Sequence, residues 1–357
     1  MTPDEHREDG RGSAGAGVWA AIETILCRIF LRCAMARMEP AQVTLTFDMG
    51  NEASTKYIDL AENLSIVNRK LIRQGQNFAV TGFTLEAQGL DPQTPDQALI
   101  KLATLPNNWV THNAWVKARA LWSEMRDLVL DDNPSVVGKW SDFKVLMDAA
   151  HANTISYDAG TGAWSTNLYC EDSSGTKAKL TFRDWEYSEV VMPQHDVDPA
   201  TGLPDAALEH SLHMMGSDVP AGSSYVDGSF GIIEGYENSR AVVQDAPDVP
   251  ALLDSTWMSL IGDMGSQEPE LTQQIEDEND RPPYNRTGYP GASDNLSTPL
   301  VAAIASCSAS NPVVHGQGFL APCGLVKVIF SGTVAVKLHV HVAIGRSRGI
   351  GSMKMGQ

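Results

Sequence analysis

With 357 residues, 43% hydrophobic and 20% charged, the chain has the composition of a globular protein and the length of one large domain or two ordinary ones. A formal net charge of −18 and a pI near 4.8 argue against an unaided nucleic-acid binder, because phosphate recognition wants clustered Lys and Arg. The charge is uneven, however: no Asp or Glu follows Asp294, whereas Lys327, Lys337, Arg346, Arg348 and Lys354 do. Five scattered cysteines without a C-x-x-C spacing support neither a zinc site nor a disulfide framework, so reduced, mostly buried thiols are expected. No run reaches the roughly 18 to 20 apolar residues that span a bilayer.

In chain order, residues 1–17 are polar and Gly-rich, and loose order is expected there. Residues 18–38 have the pattern of an amphipathic helix but carry Glu23, Arg28, Arg32 and Arg37, which spoils them as a signal peptide. Three readings stand for this stretch: a partner- or membrane-surface helix, a terminal helix with no dedicated task, or an over-extended start ahead of Met35 and Met38. The first clear strand is QVTLTFDM (42–49), alternating with period two. Leu60, Leu64, Val67 and Leu71 then predict a helix within 57–74, and 77–87 and 98–105 read as strands.

A Trp-rich helix follows Pro106, with Trp115, Ala118, Leu121, Trp122 and Met125 on one stripe and Thr111 as its expected N-cap. Trp109, Trp115, Trp122 and Trp140 are half of the chain's eight tryptophans, which marks 98–143 as a packing centre rather than an active site. From Phe143 onward short segments punctuated by Gly, Asp, Asn and Ser predict strands at 143–147, 163–169 and 178–192, with 228–236 and 240–243 as strands about a turn. Residues 208–215 read as a strand or a helical turn. The strand-poor region 194–222 is where an inserted lobe is expected. Residues 249–265 have helical spacing, 268–281 are acidic, and the tail returns to β at 325–331 and 333–345. There His339 and His341 share one strand face.

Candidate chemistry is sparse. His195, Asp196 and Asp198 share one loop, but the later bidentate Glu of a calcium loop is missing, so a solvated turn is the expectation. His210 and His213 would share a helical face as metal ligands, although no third ligand completes a pattern, and core or interface histidines are the simpler reading. There is no G-x-S-x-G and no G-x-x-x-x-G-K. Asn285 and Asn295 match the glycosylation sequon without a secretory signal. Arg69, Lys70 and Arg73, together with Lys327, Lys337, Arg346 and Arg348, are the residues expected to line a surface facing nucleic acid.

Six segments occur in a familiar order: IVNRKLIRQGQNFAVTGFTL (66–85), LPNNWVTHNAWVKARALW (105–122), LHMMG (212–216), IIEGYENSRA (232–241), DRPPYNRTGYPG (280–291) and APCGLVKV (321–328). They resemble the capsid proteins of small circular single-stranded DNA viruses known mostly from environmental sequencing, over residues 40–357. The resemblance implies a mainly β fold, an antiparallel viral jelly-roll sandwich with long loops and a few helices. It divides the chain into an arm or helix over 1–40 and a jelly-roll domain over 41–357. It implies a structural protein of the virion and no enzyme, self-assembling into an icosahedral shell around a small single-stranded DNA genome. Its partners would be further copies of itself, the packaged DNA and a host surface receptor of unassigned identity, with no membrane insertion, cofactor or metal. Two departures accompany the resemblance: residues 1–40 are mixed in charge rather than a basic arm, and the net charge leaves much of the DNA unneutralised. A lectin-like β-sandwich that binds ligands is the alternative.

Overall fold

In the computed structural model, which describes residues 41–89, 97–158, 163–171, 185–192, 208–220, 228–241 and 300–356, eight strands form two antiparallel sheets. They are β1 (Thr44–Asp48), β2 (Ser54–Asp59), β3 (Gln76–Ala87), β4 (Gln97–Thr104), β5 (Leu300–Ser308), β6 (Val313–Ala321), β7 (Leu325–Gly332) and β8 (Val336–Val342). The first sheet has the order β1-β8-β3-β6, with the short strand Ser352–Lys354 added antiparallel to the start of β3, and the second has the order β5-β4-β7-β2. Every consecutive pair of strands changes sheet, except β4 and β5, which pair with each other. The protein is mainly β, with four α-helices among the described residues.

Period-two alternation places the core between the sheets. From the first sheet come Leu45 and Phe47 of β1, Phe83 and Leu85 of β3, and Leu338 and Val340 of β8; from the second come Ile100 and Leu102 of β4, and Val328 and Phe330 of β7. All ten are at most 2% exposed. Complete burial of each such side chain is worth about 1.5–3 kcal/mol, which makes this two-sided layer the main stabilising element. The two sheets differ in their other faces. On the first, Thr44, Thr46, Lys337, His339 and His341 remain at least partly exposed. On the second, Tyr57, Leu325 and Lys327 are buried beneath the segment between β4 and β5.

That segment, 105–299, holds most of the remaining structure. Helix α1 (Leu60–Asn68) precedes it, between β2 and β3. Within it lie α2 (Trp109–Asp132), α3 (Ala149–Thr154) and α4 (Ile232–Ala241). A third sheet centres on Leu208–Met215, which pairs in parallel with Leu146–Asp148 and Ser229–Gly231 and antiparallel with Glu189–Met192. Helix α2 buries Val110, Ala114, Trp115, Ala118 and Leu121 in a second apolar cluster that includes Phe143, Leu212 and Ile233. Trp122 and Met125 still pack against that cluster; beyond them Leu128 is 70% exposed, as is Val137 to 65% in the short 3-10 helix Pro134–Gly138 that follows.

Several expectations change. Residues 57–74 are not one helix: Tyr57 and Ile58 pair with β7, and the helix begins only where the Asp59 side chain accepts from the amides of Ala61 and Glu62. It ends at Arg69, which adopts a left-handed conformation. The N-cap of α2 is Asn108, whose Oδ1 accepts from the Thr111 amide at 3.0 Å, so Thr111 is already helical and buried. The expected strand at 228–236 becomes a three-residue strand followed by α4, which also takes in 240–241, because Ile232, Ile233 and Tyr236 share one helical face. The strand-poor region 194–222 contains the central strand of the third sheet. The expected helices at 18–38 and 249–265, the acidic 268–281, the loop of His195, Asp196 and Asp198, and both sequons lie outside the described residues.

One close approach inside the sandwich fixes a glycine. Gly316 of β6 stands opposite Phe83 of β3, and a Cβ there would come within 2.0 Å of the Phe83 ring. Gly316→Ala must therefore push Phe83 into the core, and it is expected to lower unfolding stability by about 1–3 kcal/mol, measured as a shift in the urea midpoint.

Candidate nucleic-acid interface

The loop after α1 begins with the left-handed turn at Arg69, which leaves that side chain exposed. Ser65 holds the loop back on the helix: the Ile72 amide donates to its Oγ at 2.9 Å, and the Oγ donates to the Ala61 carbonyl. Arg73 at the end of the loop donates from Nη1 to the Ser141 carbonyl at 3.0 Å and to Asp142 Oδ1 at 3.2 Å. Its guanidinium also lies 5.8 Å from the centre of the Trp140 ring. Arg348 sits in the tight hairpin between Ile344–Gly345 and Gly349–Ile350, and its Nη1 donates to the Leu71 carbonyl. The fold thus brings two basic stretches, remote in sequence, to one place: Arg69, Lys70 and Arg73 beside Arg346 and Arg348. Arg69, Arg73, Arg346 and Arg348 are exposed.

The other two expected cations lie elsewhere. Lys337 is on the outer face of the first sheet, paired with Glu171 at 2.9 Å. Lys327 is 9% exposed, and its Nζ lies 2.6 Å from Asp148 Oδ2. It projects from β7 into the covered side of the second sheet and is not available to a phosphate.

An aromatic element that sequence reasoning assigned only to packing joins the basic loop. Trp140 is half-buried and stacks on Trp185 with ring centres 6.0 Å apart. The Lys144 ammonium lies 5.4 Å from the first ring and 4.8 Å from the second. Burial lowers the Lys144 pKa, against the attraction of Asp142, Asp59, Glu186 and Glu62. Cations around a partly open indole are what single-stranded nucleic acid uses: charge for the backbone and a π-face for a base. No signal in the sequence links Trp140 to Arg73, since their proximity is a long-range contact.

Beneath the second sheet lies a buried polar network. Tyr57 Oη donates to Asp148 Oδ1 at 2.9 Å, the His151 amide donates to the same oxygen, and Lys327 occupies the other. His151 Nδ1 accepts from the Met147 amide, so its proton resides on Nε2, which donates to Asn167 Oδ1 at 3.0 Å. Asn167 in turn donates to the Tyr187 hydroxyl. Each of these side chains is at most 9% exposed and has its polar atoms engaged, so the network joins the inserted segment to β2 and β7 and leaves no group facing a substrate. Burial pushes His151 down to about 4, with Asp148 opposing. His213 is likewise pushed to about 4; it holds Ser229 and the Ser217 carbonyl. Its expected partner His210 lies three residues away on a strand, not a helix, so the two imidazoles point to opposite faces. Among the described residues no group of three His, Cys, Asp or Glu side chains could hold a metal ion, and no helix is long and apolar enough to cross a membrane.

Comparison with known proteins finds no match to a family model, a curated protein or a solved structure.

Two measurements probe the buried network. Lys327→Met and Asp148→Asn should each cost about 3–5 kcal/mol, because each leaves an unpaired polar or charged group buried. The double variant should lose clearly less than the sum, as read by denaturant unfolding. The second measurement is the pH dependence of stability. His151 and His213 have folded pKa values below the ordinary 6.5, so their contribution is full above pH 6.5 and is lost as pH falls towards 4. Asp59 is pushed up to about 6, chiefly by burial, so its contribution runs the other way and is lost as pH rises through 6. Between pH 6 and 4 the two histidines outweigh the Asp59 carboxyl, so stability should fall as pH drops through that window, and Asp59→Asn should steepen the fall.

Proposed function

We propose that the chain is a structural capsid subunit: a jelly roll that self-associates into a closed icosahedral shell around a small single-stranded DNA genome, as part of a virion. The observation that carries this reading is the strand order. Eight antiparallel strands arranged 1-8-3-6 and 5-4-7-2, changing sheet at every step but the middle one, support it, because two interlocked Greek keys would give that order. The long excursion then lies between the two middle strands, as a decoration at one end of the sandwich. The end of α2 beyond Met125 and the short 3-10 helix Pro134–Gly138 after it, with Leu128, Val129 and Val137 exposed, offer the apolar surface that a symmetry-related copy would cover. The basic loop of Arg69, Lys70 and Arg73, with Arg346, Arg348 and Trp140, is assigned to the packaged strand. No catalytic step is assigned to any residue.

The lectin-like alternative uses the same architecture, so assembly separates the two. Purified full-length protein should give uniform closed particles in negative-stain electron microscopy and light scattering. A stable monomer or dimer at both low and high salt would overturn the reading and call for a glycan screen. For the DNA assignment, Arg69→Gln combined with Arg346→Gln should weaken binding of a single-stranded oligonucleotide and flatten its salt dependence by about 0.7 in log–log slope per lost contact. Unchanged binding would remove the assignment while leaving the shell in place.

A further inference from the structure

The two sheets of the sandwich have four edge strands, β1 and β6 in the first and β2 and β5 in the second. Two of them are closed by the chain itself. The Tyr57 amide of β2 donates to the Thr166 carbonyl at 3.0 Å, and the Leu168 amide donates to the Tyr57 carbonyl at 2.7 Å. A few residues on, the Glu171 amide donates to the Thr46 carbonyl of β1 at 2.8 Å. Leu168 and Cys170 from the same stretch enter the core, at 8% and 0% exposure. Backbone edge and apolar interior are sealed together there.

The other two edges have no such cover among the described residues. Strand β5 pairs only with β4, and β6 only with β3. The two strands adjoin, linked by a turn in which Ser308 and Asn311 exchange backbone hydrogen bonds. Val314 and Phe319 of β6 pack against the core but stay only half-buried. Val301 and Ile304 of β5 are 52% and 60% exposed. Edge strands are ordinarily blunted by lysines, prolines, bulges or an overlying segment. Strand β5 has a bulge between Val301 and Ala303, yet Ala303 to Ser308 beyond it pair with β4 in unbroken register and include neither a charge nor a proline.

Charge selects the occupant. A net charge of −18 makes most surfaces of two copies repel. From Asn295 to Val326, however, there is no Asp, Glu, Lys or Arg, so both open strands lie within an uncharged run. The charges in register beside them are Lys101 of β4 opposite Ile304 and Glu86 of β3 opposite Val313, one of each sign. An antiparallel edge is also its own complement. Set against a two-fold-related copy, each strand offers the amides and carbonyls that the other lacks. We propose that the edge of β5 from Ala303 to Ser308 is a self-association surface, on which a second copy of this chain lays its own β5 antiparallel and joins the two second sheets into one. The pairing also covers the open side of the core, where Val314 and Phe319 lie. This edge is a place where subunits of the proposed shell would meet, and it rests on that reading only in requiring that copies associate.

Sedimentation velocity and hydrogen–deuterium exchange of the full-length protein, at low and high concentration, test it. On association, exchange at 303–308 should slow by about tenfold once roughly 90% of the chain is associated. Ile304→Lys combined with Ser306→Lys places like charges on both copies at the edge and should weaken association by at least about a hundredfold. Association without slower exchange at 303–308, or undiminished in the double variant, would overturn the proposal and leave the shell to other surfaces. A dimer that forms through β5 and goes no further would support the proposal and overturn the shell. A wild-type chain that stays monomeric at every concentration would overturn both. Should the double variant not fold, the exchange of the wild-type chain decides alone.

Discussion

Lys327 is the charged side chain of β7, and it points away from the sandwich core toward the segment inserted between β4 and β5. Its ammonium meets Asp148, which the Tyr57 hydroxyl and the His151 amide also hold. A strand in an ordinary sandwich has one dry and one wet face. Strand β7 has two dry ones, and a lysine on the second is tolerable only because a carboxylate from the insert arrives to meet it. The burial of the Tyr57 hydroxyl goes with that meeting, since it donates to the same carboxylate, whereas His151 is held neutral by burial against the pull of Asp148.

The same constraint divides the molecule into unlike surfaces. The covered second sheet gives its outer face to a polar network with its partners satisfied. The first sheet keeps a face of threonines, histidines and Lys337 in contact with water. Surface charge is therefore concentrated where segments end: at the turn after α1, in the hairpin bearing Arg346 and Arg348, and along the projecting end of α2. A chain with a net charge of −18 gathers five cations in the first two of these places, which composition alone would not suggest.

Legibility in the sequence followed the physics of each element. Strands with one wet face, such as β1 and β8, alternate cleanly and were readable to within three residues. The Trp-rich helix was readable from its stripe, although its N-cap is Asn108 rather than Thr111. Strand β2 was lost because STKYID is short, lies against a helix pattern and is buried at its far end. Strands β5 and β6 were lost because Ala, Ser and Gly in LVAAIASCS and VVHGQGFLA weaken the β signal. Basic residues could be listed from the sequence but not sorted, since nothing local distinguishes Lys327 from Lys337. What separates them is which face of which sheet is covered, and that is a property of contacts more than a hundred residues apart. The outer face of the first sheet has the same character: His339 and His341 were visible as a pair, whereas His315 joins them only through Thr84.

The pairing of β4 with β5 also bears on how the chain finds its fold. Thr104 pairs with Leu300, so the middle hairpin of the sandwich closes a loop of roughly two hundred residues, and β7 reaches back farther still to β4 and β2. Loop-closure entropy grows only logarithmically, by about 0.6 kcal/mol per doubling, so the native state bears the insertion at little equilibrium cost. The rate is affected far more, because few contacts in the second sheet are local and topologies dominated by distant pairings fold slowly. Until that hairpin closes, β4 and β7 present unpaired edges, which makes the second sheet the part most exposed to misassociation during synthesis.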